Sequence, residues 1–156
     1  MIISREKLSE ICIDLRAKNK IIVFTNGCFD VIHRGHVEYL EQARNIGDVL
    51  IVGLNSDESV RRLKGNNRPI NSEEDRSVVL SSLRSVDYVT IFDEDTPYEL
   101  IKLLQPGILV KGGDYQLNEI VGADIVLTKG GKVVAVPLIE GKSTSELIKR
   151  ILKEST

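Results

Sequence analysis

The sequence predicts an α/β fold, a doubly wound parallel sheet with helices on both faces, in a single domain over residues 1–156. Three features carry that expectation. Short apolar runs rich in β-branched residues recur at 21–24, 49–54, 88–92, 108–110 and 133–136, without the polar alternation of a half-exposed strand. Between most of them lie segments with helical spacing and recognisable caps. A chain of 156 residues, 42% hydrophobic and 28% charged, is long enough to bury both faces of such a sheet without disulfides.

Taken in order, Ser4 caps a first helix over 5–18, with Leu8, Ile11, Cys12 and Leu15 at the helical period. It forms an N-terminal unit, 1–20, ahead of a core over 21–156. Asn19-Lys20 ends the helix, and 21–24 is the first strand. A glycine-bearing turn, Thr25-Asn26-Gly27-Cys28-Phe29-Asp30, leads to His33-Arg34-Gly35-His36 and a helix with Val37, Leu40 and Ala43 in phase. Gly47 closes that helix as its C′ residue. After the second strand, 49–54, Asn55-Ser56-Asp57 caps a short helix ending near Leu63, and a basic loop covers 61–69. Ser72 to Asp75 fits a capping box for a helix over 73–83, with Val78, Val79 and Leu83 as its buried side. The third strand is 88–92. Thr96-Pro97-Tyr98-Glu99 joins an N-cap Thr, Pro at N1 and Glu at N3, and Gln105-Pro106 stops the helix that follows. The fourth strand, 108–110, runs into Lys111-Gly112-Gly113-Asp114-Tyr115. Residues 125–127 read as strand, 129–132 as a turn and 133–136 as strand. The last helix starts at Gly141-Lys142-Ser143-Thr144-Ser145 and runs to Lys153.

The chemistry concentrates in the first turn. Both histidines of the chain, His33 and His36, stand at the start of the helix that follows strand and glycine turn. First-turn N–H groups have no intrahelical partners and the helix dipole favours anions there, so two imidazole donors on one side of that turn make a phosphate site. A single histidine at a helix start is ordinarily a cap or a packing group; the pair directly after a glycine turn points to a ligand. Zinc is disfavoured, because no further histidine or paired cysteine completes a ligand set. Lys64, in the basic loop at the carboxyl edge of the sheet, reads as a lid cation. Lys111, Gly113 and Asp114 form a second turn that admits a ligand close to the backbone. Ser143, Thr144 and Ser145 read as helix caps or as further phosphate donors. Cys12 reads as core and Cys28 as a thiol in the site turn.

A net charge of −2 argues against a generic nucleic-acid or membrane-surface binder. No apolar stretch approaches a membrane span, the first residues carry no apolar leader, and two unpaired-looking cysteines suit a reducing compartment, so the expected location is cytoplasmic.

The strings TNGCFDVIHRGH, VGLNSDESVRRLKG, RPINSEEDR, VDYVTIFDEDTP, LVKGGDY, EIVGAD and GKSTSELIKRI, in this order, resemble the nucleotidylyltransferases with a HIGH-type signature, in the cytidylyltransferase-like group. Within it they are most similar to the heptose 1-phosphate adenylyltransferases, over nearly the whole chain from residue 21. The resemblance implies a Rossmann-like fold and transfer of AMP from ATP to D-glycero-β-D-manno-heptose 1-phosphate, giving ADP-heptose, a lipopolysaccharide core precursor, and pyrophosphate. It implies in-line attack without a covalent intermediate, His33 and His36 donating to the α/β-phosphates and Lys64 closing over the leaving group. Thr25, Asn26, Gly27, Cys28, Phe29, Gly35, Lys111, Gly113, Asp114, Ser143, Thr144 and Ser145 are then the nucleotide side, and Asp30, Asn55 and Asp57 the sugar-phosphate side. Mg²⁺ is implied with ATP, without a dedicated protein cage. The implied partners are a second copy, docked through the helix near Ser72, and a separate heptose 7-phosphate kinase.

Similar glycerol-3-phosphate cytidylyltransferases carry an arginine–threonine pair where this chain has Leu138 and Ile139, and isoleucine where it has Lys142. That departure weighs against cytidylyl transfer to a sugar or polyol phosphate, the alternative reading. A non-catalytic nucleotide-binding module on the same fold is the remaining one. The joint presence of both histidines, Lys64 and the Ser/Thr cluster argues against it.

Overall fold

The computed structural model describes residues 1–155; Thr156, the last residue of the expected domain, lies outside them. Five strands, β1 (Ile22–Gly27), β2 (Val49–Asn55), β3 (Tyr88–Phe92), β4 (Ile108–Gly112) and β5 (Lys132–Val136), form one parallel sheet in the order β3-β2-β1-β4-β5. Helices α1 (Arg5–Ala17), α2 (Arg34–Asn45), α3 (Asp57–Lys64), α4 (Glu73–Ser81), α5 (Tyr98–Leu104), α6 (Ala123–Thr128) and α7 (Thr144–Glu154) surround it. This is the predicted α/β sheet. No helix among the described residues is long and apolar enough to cross a membrane.

The continuous apolar runs exist because the sheet is covered twice. Side chains alternate along each strand, so Ile22, Phe24, Ile51 and Leu109 face one core with Leu8 and Cys12 of α1 and Leu100, Ile101 and Leu104 of α5. Val23, Leu50, Val52, Leu54 and Val110 face the other, with Leu40 and Ala43 of α2 and Leu80 of α4. Helix α1 therefore shares the core of the segment that follows it. Its leading residues also extend the sheet edge: Ile3 N–H donates to Val89 O, and Val89 N–H to Met1 O, both at 2.9 Å.

β1 pairs with β2 on one side and β4 on the other. The chain winds outward from β1 through β2 to β3, then returns past β1 to β4. The crevice above the carboxyl ends of β1 and β4 is thus the switch point where open α/β sheets bind ligands. The β1–α2 turn lies there.

Local expectations fail at five places. Residues 125–127 belong to helix α6, because the three-residue apolar run is too short to separate the periods; Ala123 and Val126, three apart, turn inward while Leu127 is exposed. Helix α4 ends at Ser81 and presents Arg76, Ser77 and Leu80 to the interior, leaving Val78 and Val79 52% and 46% exposed. The bonds that Arg76 makes below fix that rotation. Helix α5 starts from Pro97 with no side-chain cap, so Thr96 is not its N-cap. Gly47 is the C′ residue of α2, after the C-cap Ile46, but it lacks the positive φ of a glycine cap; it is small because a Cβ there would come 2.4 Å from Val23 Cγ2. β1 and β4 extend to Gly27 and Gly112, carrying glycine backbone to the edge of the crevice.

Candidate active site

The turn after β1 is shaped by one residue pair. Phe29 sits in the left-handed region, at φ 43°, and its ring lies over Gly27, where a Cβ would come 2.9 Å from the ring. The same ring meets His36 edge-on, with centroids 5.3 Å apart. Helix α2 then starts from His33 as its N-cap, the imidazole replacing the usual hydroxyl or carboxylate. Gly35 N–H donates to His33 Nδ1 at 3.1 Å, and His33 N–H donates to His36 Nδ1 at 3.4 Å. The two rings lie 3.9 Å apart, centroid to centroid.

That reciprocal cap decides the tautomers. An Nδ1 that accepts a backbone N–H carries no proton, so each neutral ring keeps its hydrogen on Nε2 and has it to give to a ligand. Burial, then His33 and Lys64, pushes the His36 imidazole down to about 4. His33 is lowered too, by burial and then by Lys142. At neutral pH the pair therefore offers two uncharged donors.

Those donors face a cleft of about 320 Å³. Asn26, Gly27, Cys28, Phe29, Asp30, His33, Gly35, His36 and Tyr39 form one wall, residues 138–139 and 142–145 another, and Lys64, Arg68, Lys111 and Gly112 lie between. A second lobe of about 520 Å³ shares Asn26, Gly27, Cys28, Lys64 and Lys111 with the first and continues past Asn55, Leu63, Asp95, Thr96, Tyr115 and Glu119. The sequence-derived residues are thus largely gathered: thirteen line the first lobe and Asn55 the second.

Thr25, Asp57, Gly113 and Asp114 line neither lobe. Thr25, within β1, is fully buried, its Oγ1 2.6 Å from the Tyr39 hydroxyl, which donates onward to Val110 O at 3.3 Å. Gly113 donates its N–H to Val136 O at 2.9 Å, and Asp114 is exposed. Asp57 accepts from Arg76 Nη2 at 2.7 Å. Asp30 reaches the cleft wall but is 4% exposed, its carboxylate accepting from Ile70 N–H, Asn71 N–H and Arg68 Nε at 2.8–2.9 Å. Burial alone would raise its pKa; the Asn71 and Ile70 N–H groups and Arg68 together outweigh that and hold it below the usual carboxylate range.

Arg76 is the residue that pattern reading missed. Its side chain is buried, and it donates to Cys28 O at 2.6 Å, Asn55 O at 2.9 Å and Asn71 O at 3.1 Å as well as to Asp57. One guanidinium thereby joins the ends of β1 and β2 to the 68–71 loop and α3. Its spacing four before Leu80 is the signal that places it inward, but charge at a helix position ordinarily reads as surface.

The cations divide by partner. Arg68 is neutralised by Asp30, whereas Lys64, Lys111 and Lys142 have no ion pair among the described residues. Burial pushes the Lys111 ammonium down, with Cys28 opposing. No three His, Cys, Asp or Glu side chains converge among the described residues. Two N–H donors, a helix start and three ammonium groups without an ion pair among the described residues are chemically suited to hold a polyphosphate.

A model of the family described as Cytidylyltransferase-like matches residues 24–150. The bifunctional protein HldE of Wolinella succinogenes is 56% identical over 150 residues, which are 96% of this chain and 31% of that protein. HldE of Campylobacter curvus is 60% identical over 148 residues, 95% of this chain and 30% of that protein. The chain spans just under a third of the length of these curated relatives. The crystal structure of the lipopolysaccharide core biosynthesis protein from Thermoplasma volcanium superposes with a TM-score of 0.62 at 28% identity, covering 79% of this chain and 99% of that one.

Proposed function

The chain belongs to the cytidylyltransferase-like family, and from that premise we propose that it transfers AMP from ATP to D-glycero-β-D-manno-heptose 1-phosphate, forming ADP-heptose and pyrophosphate. The observation that carries the reading is the His33–His36 pair, whose Nε2–H groups are left for phosphate at the start of α2. Similarity to a lipopolysaccharide core biosynthesis protein supports the sugar substrate.

In the reaction an oxygen of the sugar phosphate attacks the α-phosphorus in line. The new P–O bond forms as the bond to the bridging α–β oxygen breaks, and the electron pair leaves with pyrophosphate. A phosphate monoester is already anionic near neutral pH, so the step needs positioning and charge stabilisation rather than a strong base. His33 and His36 donate to the non-bridging oxygens as charge develops. Lys64, at the end of α3, covers the leaving pyrophosphate, and Lys142 faces it from the segment before α7. Mg²⁺ would come with ATP, held by phosphate oxygens and water, and would supply neutralising charge.

Leu138 and Ile139 give the first lobe an apolar wall without a guanidinium, which favours adenine over cytosine. Exposed Val78 and Val79 on α4, with Ile70 beside that helix, support a homodimer. The word bifunctional in the relatives' name, and their extra length, support a second activity in those proteins; the family resemblance makes a heptose 7-phosphate kinase the proposed partner of this chain. Use of ATP as donor supports a cytoplasmic location. The test is pyrophosphate release with Mg²⁺ and heptose 1-phosphate, comparing ATP with CTP. Release with ATP is the expected result. Preference for CTP moves the chain to cytidylyl transfer, and no release with either nucleotide overturns the reading.

A further inference from the structure

The seam between β1 and β4 opens where the cleft begins. β1 stays in register with β2 from Ile22↔Val49 to Gly27↔Leu54, and β4 with β5 from Ile108↔Lys132 to Gly112↔Val136. Among the described residues, pairing between β1 and β4 ends after Val23↔Ile108 and Phe24↔Leu109. The next pair in that register is Thr25 and Val110. Between them stands the Tyr39 hydroxyl, 2.6 Å from Thr25 Oγ1 and donating to Val110 O at 3.3 Å. A side chain of α2 thus replaces the next rung, at the fork from which β1 carries Asn26 and Gly27 and β4 carries Lys111 and Gly112 into the cleft. Tyr39 is fitted to this place: it is buried, and its ring lies 3.3 Å from the point that a Cβ on Gly112 would occupy. Burial pushes the phenol up to about 12, with Thr25 and the Gly112 backbone opposing, so it keeps its proton at neutral pH. That proton goes to Val110 O, and the phenol oxygen accepts from Thr25.

We propose that Tyr39 is a positioning residue, whose hydroxyl clasps the open fork and so sets the histidine end of α2 against Lys111 on β4. This rests on the nucleotidylyl-transfer reading above, in which donors on α2 and cations across the cleft must meet the same phosphates. Tyr39 lies three residues beyond His36 on α2, on the same side of the helix, so a bond at one is felt at the other. Both strands are held along their outer sides, and the unpaired inner edges are the freedom that remains. A clasp at that point fixes the width of the site without touching a substrate.

The test is steady-state kinetics with ATP and heptose 1-phosphate, alongside thermal unfolding, for Tyr39→Phe, Thr25→Val and Thr25→Ser. Tyr39→Phe keeps the ring and should lower kcat about tenfold or more, with both KM values within about threefold of the wild type. At Thr25, turnover and stability should part. Thr25→Val removes the hydroxyl and should lower kcat several-fold. Thr25→Ser keeps the hydroxyl but loses a buried methyl, and should unfold at a lower temperature than the wild type with kcat within about twofold. A Tyr39→Phe kcat within about twofold of the wild type, equal kcat values in the two Thr25 variants, or a change confined to KM overturns the proposal. Should Tyr39→Phe not fold, the two Thr25 variants decide. NMR keeps the two readings apart, because the chain's two histidines give imidazole signals that can be followed without substrate. Shifted signals in Tyr39→Phe, in a protein that releases no pyrophosphate, support the clasp while the transfer reading falls; unmoved signals overturn the clasp.

Discussion

The histidine wall of the first lobe is fastened to the body through Arg76 and Asp30, which between them join the β1 turn, the end of β2, the 68–71 loop and α3. The facing wall, residues 138–145, meets it, among the described residues, through one hydrogen bond, from Thr144 Oγ1 to Val31 O at 3.4 Å. Buried polar bonds hold groups to a fraction of an ångström only when every partner is satisfied, as these are. The difference separates two tasks. On the proposed function, the donors that would meet a developing charge are mounted on the braced wall, and the wall that would admit and release a nucleotide is lightly tied.

Four variants or conditions sharpen or break that comparison. The largest effect is expected for His36→Ala, which removes a phosphate donor and should lower turnover by about 10²–10³-fold while the protein still unfolds cooperatively. Unchanged pyrophosphate release would remove His36 from the mechanism. Next, Arg76→Met strands three carbonyls and the Asp57 carboxylate, and chemical denaturation should show a loss of about 3 kcal/mol. A loss below about 1 kcal/mol would mean that the wall stands without its strut.

The third expectation concerns acid. His36 titrates lower in the folded protein than its ordinary value of 6.5, at about 4. Between those values the unfolded chain binds more protons, so this group adds nothing above 6.5, and stability declines as pH falls through that window. Thermal unfolding followed from pH 7 to 4 should decline less steeply in His36→Asn than in the wild type; parallel curves would contradict the lowered value. The smallest structural effect belongs to Thr144→Val, with a stability change under about 0.5 kcal/mol and a several-fold rise in the KM for ATP. A large drop in stability there would show that the second wall is braced after all.

The strands and most helices were legible because their signals are local. Burial on both faces leaves uninterrupted apolar runs, and Ser4, Ser56, Ser72 and Ser143 cap α1, α3, α4 and α7 through their own hydroxyls. The site was legible where glycines and histidines cluster within a dozen residues. The inward face of α4 was not, because apolarity pointed to Val78 and Val79 while the buried group is an arginine whose partners, Cys28 and Asn55, lie 48 and 21 residues away. Helix α6 was misread as strand because its apolar run is only three residues long.

Asp30 marks the same limit inside the site. A carboxylate beside a phosphate turn invites a role with substrate hydroxyls, yet its oxygens are taken by Arg68, Ile70 and Asn71. By itself, then, the sequence determined the sheet, the glycine–histidine turn after β1 and the family, since each is written in residues close along the chain. Tertiary structure alone decided the histidine tautomers, the commitment of Asp30 and Asp57, the burial of Arg76 and the division of the cleft into two lobes. Those depend on which backbone groups from distant segments meet a side chain, and a buried polar group takes its state from the partners that satisfy it.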